Sequence, residues 1–207
     1  MIGIINYGLG NVKSIYNLLL FLNEKVIVVN ENEDLEYVDK LILPGVGSFD
    51  YAMKKIKKAN LIDSLNEQVL VKKKLIMGIC VGMQIMFDNS EEGTEKGFGW
   101  LKGKVIKFEK KKDKEGAIIP IPHMGWNQIE PLNSSIKMFD NLSLNSRFYF
   151  LHSYYCSPNN KEDTIANTNY IKNFCSVVQK KNIIGIQFHP EKSHNSGLKI
   201  FKNFCNI

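Results

Sequence analysis

Continuous runs of apolar residues mark the strands that this sequence predicts. They lie within residues 2 to 5, 25 to 30, 40 to 45, 75 to 79 and 182 to 188. A strand that is apolar along its whole length is typical of a parallel sheet covered on both faces. Between these runs, apolar residues recur at helical spacing, as in residues 12 to 22 and 198 to 204. The pattern predicts one α/β domain over residues 1–207, with a mostly parallel central sheet and helices on both faces.

Two further strands are expected in the second half of the chain. Residues 104 to 109 (KVIKFE) largely alternate between polar and apolar side chains, and residues 148 to 155 (FYFLHSYY) form a run rich in aromatic side chains. Both features favour β structure. Between them, the lysine-rich segment 110–116 is predicted to be an exposed hairpin tip.

Composition excludes several classes of protein. Lys and Arg total 27 against 21 Asp and Glu, for a net charge of +6, but the excess falls in clusters at 72–74 and 107–114 without interleaved aromatic residues. Such clusters indicate a solvated face, so no nucleic acid is expected. The four cysteines show no CxxC spacing, which predicts a reducing cytoplasm and neither metal nor disulfides. No apolar run is long enough to span a bilayer, so no membrane is expected. Lys13 stands where a dinucleotide-binding motif would have its third glycine, so no cofactor is expected either.

The stretch from residue 74 to 87 (KLIMGICVGMQIMF) carries the first candidate chemistry. A buried strand turns into a helix at Gly78-x-Cys80-x-Gly82, the cysteine counterpart of the nucleophile elbow. The turn is expected to leave Cys80 partly exposed beside the first free N–H groups of a helix, which favour a thiolate and can bind an oxyanion. Taken alone, the stretch equally allows a buried structural cysteine.

A base for this thiol is expected at the end of another strand. His189 and Glu191 follow the run 182–188, and Pro190 between them stiffens the turn, so both side chains can point to one side. The other three histidines are weaker candidates. His123 lies in a Pro-Met-Gly segment, His152 is expected in the core and His194 in a polar loop.

A Pro-Gly-Val-Gly segment at residues 44–47 ends the third predicted strand. Ligand-binding loops gather at the carboxyl ends of parallel strands, and its glycines allow an unusual peptide orientation. The N–H of Val46 can then point to Cys80 as a second oxyanion donor. An ordinary turn before the helix that begins near Phe49 is the simpler interpretation of the segment alone.

Together these motifs resemble those of the triad-type, class I glutamine amidotransferases. The resemblance rests on GICVGMQ (78–84), PGVG (44–47) and QFHPEKS (187–193), and extends from residue 2 to 204. The segments PGVGSF, HMGWN, YFLHSY and FHPEKS narrow it to the glutaminase subunits of imidazole glycerol phosphate synthases. The resemblance implies a flavodoxin-like fold and hydrolysis of L-glutamine by Cys80, His189 and Glu191.

The same resemblance implies roles for further residues. The N–H groups of Val46 and Val81 would form the oxyanion hole, and the residues expected around glutamine are Gly45, Gly47, Gln84, Glu92, Ser153 and Tyr154. A (β/α)₈-barrel synthase subunit would receive the ammonia in a heterodimer. The residues that match family positions at this interface are Asn11, Trp126, Tyr149 and Lys192.

Three alternatives stay open at this point. A paralogous subunit of the same family would feed ammonia to an amidotransferase acting on surface-polysaccharide sugars. A cysteine hydrolase or peptidase of similar architecture would share the elbow and the histidine, although Gln84 and the PGVG segment argue against it. A non-catalytic binding module would use only the surface around Trp126, which could instead be a core residue.

Overall fold

Five parallel strands form the centre of the sheet in the computed structural model, which describes residues 1–133 and 135–207. In spatial order they are β2 (Val26–Val29), β1 (Ile2–Ile5), β3 (Lys40–Leu43), β4 (Leu75–Ile79) and β13 (Ile183–Ile186). Nearly all residues of the four inner strands are buried. This explains their unbroken apolar runs and confirms the predicted mostly parallel central sheet.

An antiparallel extension continues the sheet beyond β13. β12 (Asn173–Lys180) pairs with β13 and with β10 (Tyr154–Pro158), which pairs in turn with β6 (Gly103–Lys107). The short strand β5 (Asn89–Ser90) lies parallel to β6 at the edge. β11 (Thr164–Asn169) also pairs with β12, and β8 (Glu130–Pro131) pairs with β11.

A separate two-stranded sheet joins β7 (His123–Gln128) to β9 (Arg147–His152), with Trp126 opposite Tyr149 and His123 opposite His152. Its two faces differ because side chains alternate along a strand. His123, Phe150 and His152 face the core, whereas Met124, Trp126 and Leu151 are exposed.

The prediction of one strand over residues 148 to 155 is wrong. Residues up to His152 pair with β7, whereas Tyr154 onward pairs with β6 in the main sheet, so the chain changes sheets at Ser153. The carbonyl of Ser153 accepts a hydrogen bond from the Phe108 N–H at this break. No single strand register could satisfy both pairing partners.

Helices cover both faces of the sheet, as predicted. α1 (Val12–Phe21) connects β1 to β2, and α2 (Phe49–Lys58) with α3 (Ile62–Asn66) connects β3 to β4 in the opposite direction across the sheet. Right-handed crossovers therefore place α1 and the α2–α3 pair on opposite faces. α3 continues as a π-helical turn, Glu67–Val71, and α4 (Val81–Gln84) and α5 (His194–Asn206) follow β4 and β13. Short 3₁₀ turns occupy Asn32–Tyr37, Lys137–Phe139, Lys161–Asp163 and Pro190–Lys192.

A single connected cluster of buried apolar side chains extends from Ile2 to Phe204. The lysine-rich segment 110–116 stays outside it. All its residues are exposed, and an antiparallel bridge joins Lys112 to Ile118, in agreement with the predicted hairpin tip. Within the described part of the chain, every helix is too short or too polar to span a bilayer.

Candidate active site

Cys80 occupies a strained turn between β4 and α4. Its backbone has φ 54° and ψ −113°, a left-handed conformation that residues other than glycine rarely adopt. A Cβ atom at Gly82 would clash with the Leu43 carbonyl, and one at Gly78 would lie 2.6 Å from Met86 Cε. The two glycines therefore allow the close packing that a nucleophile elbow requires. Cys80 itself is only 4% exposed, so the expected partial exposure is wrong.

His189 and Glu191 lie beside the elbow because β13 is paired with β4. Ile186 is opposite Ile79 in this pair, so His189 follows β13 at the same edge of the sheet as Cys80. His189 Nδ1 lies 2.8 Å from Glu191 Oε1, and the two side chains are 4% and 1% exposed. The N–H of His189 also donates to the Tyr149 carbonyl (2.8 Å), which fixes the turn against β9. The three predicted triad residues are thus brought together.

The charges of the three triad residues depend on one another. Burial lowers the pKa of His189, but the negative charge on Cys80 and the Glu191 carboxylate outweigh it and raise the pKa to about 10. Burial acts to raise the pKa of Glu191, yet its bonds to His189 and Asn11 hold it below the usual value. At neutral pH, the imidazolium of His189 is therefore paired with the Glu191 carboxylate and lies beside Cys80.

A cavity of about 320 Å³ opens above Cys80 and His189. The residues predicted for the oxyanion hole, Val46 and Val81, line it. So do most of those predicted to surround glutamine: Gly47, Gln84, Glu92, Ser153 and Tyr154. Gly45 instead lies behind the wall, where a Cβ atom would clash with the Gly82 N–H. The volume suits a ligand of amino-acid size.

The residues predicted for the partner interface fall into two groups. Trp126 is 45% exposed and contacts Tyr149 edge-on at 6.1 Å between ring centroids. Lys192 lines the cavity and places its Nζ 5.7 Å from the Tyr149 ring centroid. His194, which begins α5, stacks on Trp126 at 5.1 Å. Asn11 differs, because its side-chain amide donates to Glu191 Oε1 at 2.7 Å.

Three buried polar residues beside the site were assigned no role from the sequence. Gln187 Nε2 lies 3.7 Å from Cys80 Sγ, and His152, which lines the cavity, is hydrogen-bonded to His123. A signal for Gln187 was available, since it is a polar residue that interrupts the apolar run beginning at Ile183. Within the described residues, no group of three His, Cys, Asp or Glu side chains could hold a metal ion.

Comparison with known proteins gives consistent results. Residues 3–207 match the family model for class-I glutamine amidotransferases. The chain is 47% identical over 204 residues to imidazole glycerol phosphate synthase subunit HisH 2 of Methanococcus maripaludis, covering 99% of this chain and 98% of that protein. It is 42% identical over 207 residues to the subunit HisH 2 of Pseudomonas aeruginosa, covering all of both chains.

The fold agrees with that of a solved structure. A crystal structure of a glutamine amidotransferase superposes with a TM-score of 0.74 at 16% identity, covering 99% of this chain and 97% of that one. At this identity the likeness shows the fold alone. The family match and the full-length relatives add the assignment: this chain belongs to the class-I glutamine amidotransferase family and, within it, groups with the HisH subunits of imidazole glycerol phosphate synthases.

Proposed function

We propose that this chain is the glutaminase subunit of an imidazole glycerol phosphate synthase, which hydrolyses L-glutamine and supplies ammonia for histidine biosynthesis. The observation that carries the proposal is the placement of Cys80, His189 and Glu191 around one cavity, in a chain that matches HisH subunits along its whole length. Residues 1–207 would act as one domain, since one core connects both ends of the chain.

The reaction begins with the Cys80 thiolate. Its sulfur attacks the carboxamide carbon of glutamine, and the carbonyl electrons move to the oxygen to give a tetrahedral oxyanion. His189 then gives its proton to the nitrogen as the C–N bond breaks, so ammonia leaves and a thioester remains. Glu191 holds the imidazole in the orientation that this transfer requires.

The second half of the cycle uses the same groups in reverse. Neutral His189 takes a proton from a water molecule, whose oxygen attacks the thioester carbon. The C–S bond breaks, glutamate is released and Cys80 returns as the thiolate beside an imidazolium. The raised pKa of His189 suits both steps, because the imidazolium is stable whenever Cys80 is charged.

The oxyanion would be held by the N–H groups of Val46 and Val81, two residues that line the cavity. Gly47, with φ +90°, lets the chain turn directly after Val46 in a conformation that other residues would resist. Glu92 Oε2 accepts the Phe49 N–H at 2.7 Å, so it fixes the start of α2 against the cavity wall.

The partner would be a (β/α)₈-barrel synthase subunit that docks over the exposed face of β7 and β9. Met124, Trp126 and Leu151 form an apolar surface there, and Leu151 also lines the cavity. Aromatic and apolar residues of this kind dominate the centre of protein interfaces. Ammonia is protonated in bulk water at neutral pH. A partner seated at the cavity mouth would receive it directly, before it reaches bulk water.

Two measurements test the proposal. Purified chain mixed with a barrel synthase subunit should hydrolyse glutamine, and Cys80→Ala should abolish this while ammonium salts still support synthesis. The gene should also restore growth without histidine to a bacterium that lacks its own glutaminase subunit. Glutamine hydrolysis without such rescue would place the chain in a different ammonia-consuming pathway, such as sugar amidation.

A further inference from the structure

We infer that Gln187 is a further residue of glutamine hydrolysis, donating a hydrogen bond to the Cys80 sulfur. A chain of hydrogen bonds from β7, buried except at its Asn127 end, holds it in that orientation. The chain runs from Asn127 through His123 and His152 to the Tyr154 carbonyl, and from there through Gln84 to Gln187. This inference rests on the proposed function of Cys80.

The orientation of both glutamine amides is determined by one carbonyl. Gln84 Nε2 lies 3.1 Å from the Tyr154 oxygen, which can only accept, so the nitrogen of Gln84 must face it. The same nitrogen lies 3.2 Å from Gln187 Oε1, which then accepts the second hydrogen of Gln84. Gln187 Nε2 is thereby turned toward Cys80 Sγ, at 3.7 Å. Because Gln84 uses both hydrogens within the protein, its carbonyl oxygen is the atom it can offer to a substrate.

The two histidines have fixed tautomers for the same reason. His152 Nδ1 lies 2.8 Å from the Tyr154 oxygen and must donate, so His152 Nε2 carries a lone pair. His123 Nδ1, at 3.0 Å, donates to that lone pair. His123 Nε2 then accepts the Asn127 amide at 3.2 Å, while the same amide donates to the Asn169 carbonyl at 2.9 Å. Every contact in this chain of hydrogen bonds therefore has a matching donor and acceptor.

Both imidazoles are neutral in this arrangement, as their surroundings require. Burial lowers the pKa of His152 to about 3 and that of His123 to about 4. Phe150 and Tyr170 stack on the His123 ring at 4.7 and 4.0 Å, and Phe174 packs beside both histidines. A buried and fully satisfied polar network of this kind is rigid, since breaking one link leaves a group unpaired away from water.

The consequence for the reaction lies at the sulfur. A neutral amide N–H that points at Cys80 favours the thiolate without competing for its proton. His189 lies in the turn after β13. Gln187 and His189 therefore approach the sulfur from neighbouring positions of one segment. Gln187 thus stabilises the nucleophile, and Gln84, His152 and His123 act as positioning residues.

The first test measures the Cys80 sulfur directly. Alkylation of Cys80 by iodoacetamide, followed by mass spectrometry of its peptide between pH 5 and 10, reports the thiolate fraction without any partner or substrate. Gln187→Met preserves volume but removes the donor, so alkylation at neutral pH should slow by about tenfold or more, with the pH midpoint moved upward. Gln187→Glu, which keeps the acceptor for Gln84, should slow it as well. An unchanged pH profile in either folded variant would overturn the role of Gln187.

A matched pair of variants tests the rest of this chain of hydrogen bonds. His123→Leu and His123→Asn both remove the ring and its stacking, but the Asn side chain can place its amide nitrogen where Nδ1 stood and still donate to His152. The Leu variant should shift the Cys80 profile upward and lower glutamine hydrolysis, whereas the Asn variant should stay close to the natural protein. Equal behaviour of the two would show that only packing matters and would overturn the positioning chain.

These outcomes are separable from failure of the proposed function. If Cys80→Ala leaves glutamine hydrolysis intact, the proposed function itself is wrong. If Cys80→Ala abolishes hydrolysis while Gln187→Met matches the natural protein in both alkylation and turnover, the glutaminase stands and the inference about Gln187 is wrong.

Discussion

The side-chain amide of Asn11 donates a hydrogen bond of 2.7 Å to Glu191 Oε1, the same oxygen that lies 2.8 Å from His189 Nδ1. Asn11 stands at the start of α1, 180 residues away in sequence. The other oxygen, Glu191 Oε2, is buried without a hydrogen-bond partner among the described residues. Asn11 therefore donates one of the few hydrogen bonds that the buried Glu191 carboxylate accepts.

Replacement of Asn11 should accordingly reduce catalysis. Asn11→Ala removes one hydrogen bond to a charged group, worth about 1.5–3 kcal/mol, so glutamine turnover in the complex should fall roughly tenfold or more. Asn17→Ala, at an exposed position of the same helix, is the control and should leave turnover unchanged. Steady-state rates at saturating glutamine measure the effect. Equal turnover in the Asn11 variant and the natural protein would mean that Glu191 needs no such support.

Loss of the nucleophile should be complete and local. Cys80→Ala is expected to abolish glutamine hydrolysis while leaving the thermal unfolding temperature and partner binding nearly unchanged, because only one sulfur atom is removed beside an existing cavity. Cys205→Ala, outside the cavity, should keep full activity.

The triad should also behave as a unit. His189→Ala should be nearly as severe as Cys80→Ala, and the double variant should show little additional loss. Additive effects of the two changes in the double variant would contradict a shared role.

Local sequence signals predicted much of this fold and site. Unbroken apolar runs identified the parallel strands, and the glycines around Cys80 predicted the elbow, because those signals lie within a few residues of the feature. The antiparallel strands were harder. β11 (TIANTN) is mostly polar, and β5 and β8 have two residues each, so no periodicity could identify them.

Contacts between distant residues were not predictable in the same way. Asn11 was expected at a partner surface, and nothing near it in the sequence indicates Glu191. His152 was correctly expected in the core, but its pairing with His123 depends on the register of β7 and β9, which the sequence does not state. The role of Gln187 depends similarly on two amide orientations that exist only in the folded chain.

The buried histidines predict how stability depends on pH. Both His152 and His123 have a pKa lowered by burial, to about 3 and about 4, from an ordinary value of 6.5. As the pH falls below 6.5, the unfolded chain binds protons that the native chain does not, so stability is present above that pH and is lost toward pH 4. His189 has a raised pKa and stays protonated in the native chain throughout this range, so it opposes the slope around pH 6.5 and contributes little below about pH 5.5, where the unfolded chain is protonated as well.

Urea denaturation between pH 7 and 4.5 measures this effect. His152→Phe should flatten the dependence by as much as one proton, or about 1.4 kcal/mol per pH unit. His194→Gln, at an exposed position, should leave the slope as it is. A slope that is identical in the natural protein and the His152 variant would show that His152 titrates normally in the native state.

The exposed aromatic residue on β7 predicts how the partner is bound. Trp126 is 45% exposed, packs against Tyr149 and His194, and belongs to the apolar face beside the cavity that contains Cys80. Exposed aromatic residues with such support act as anchors at interfaces, and their truncation costs about 2 kcal/mol or more. Trp126→Ala should therefore weaken assembly with the barrel subunit by about thirtyfold, or uncouple glutamine hydrolysis from synthesis.

Binding and coupling can be measured separately for this variant. Calorimetric titration gives the affinity, and the ratio of glutamate formed to product synthesised gives the coupling. Tyr37→Ala is the control, because Tyr37 is 71% exposed but lies just before the amino end of β3, whereas the site lies at the carboxyl ends of the strands. Alkylation of Cys80 should be unchanged in the Trp126 variant, since the ring contacts of Trp126 are with Tyr149 and His194. If affinity and coupling both match those of the natural protein, the partner binds another face and the docking surface on β7 and β9 is wrong.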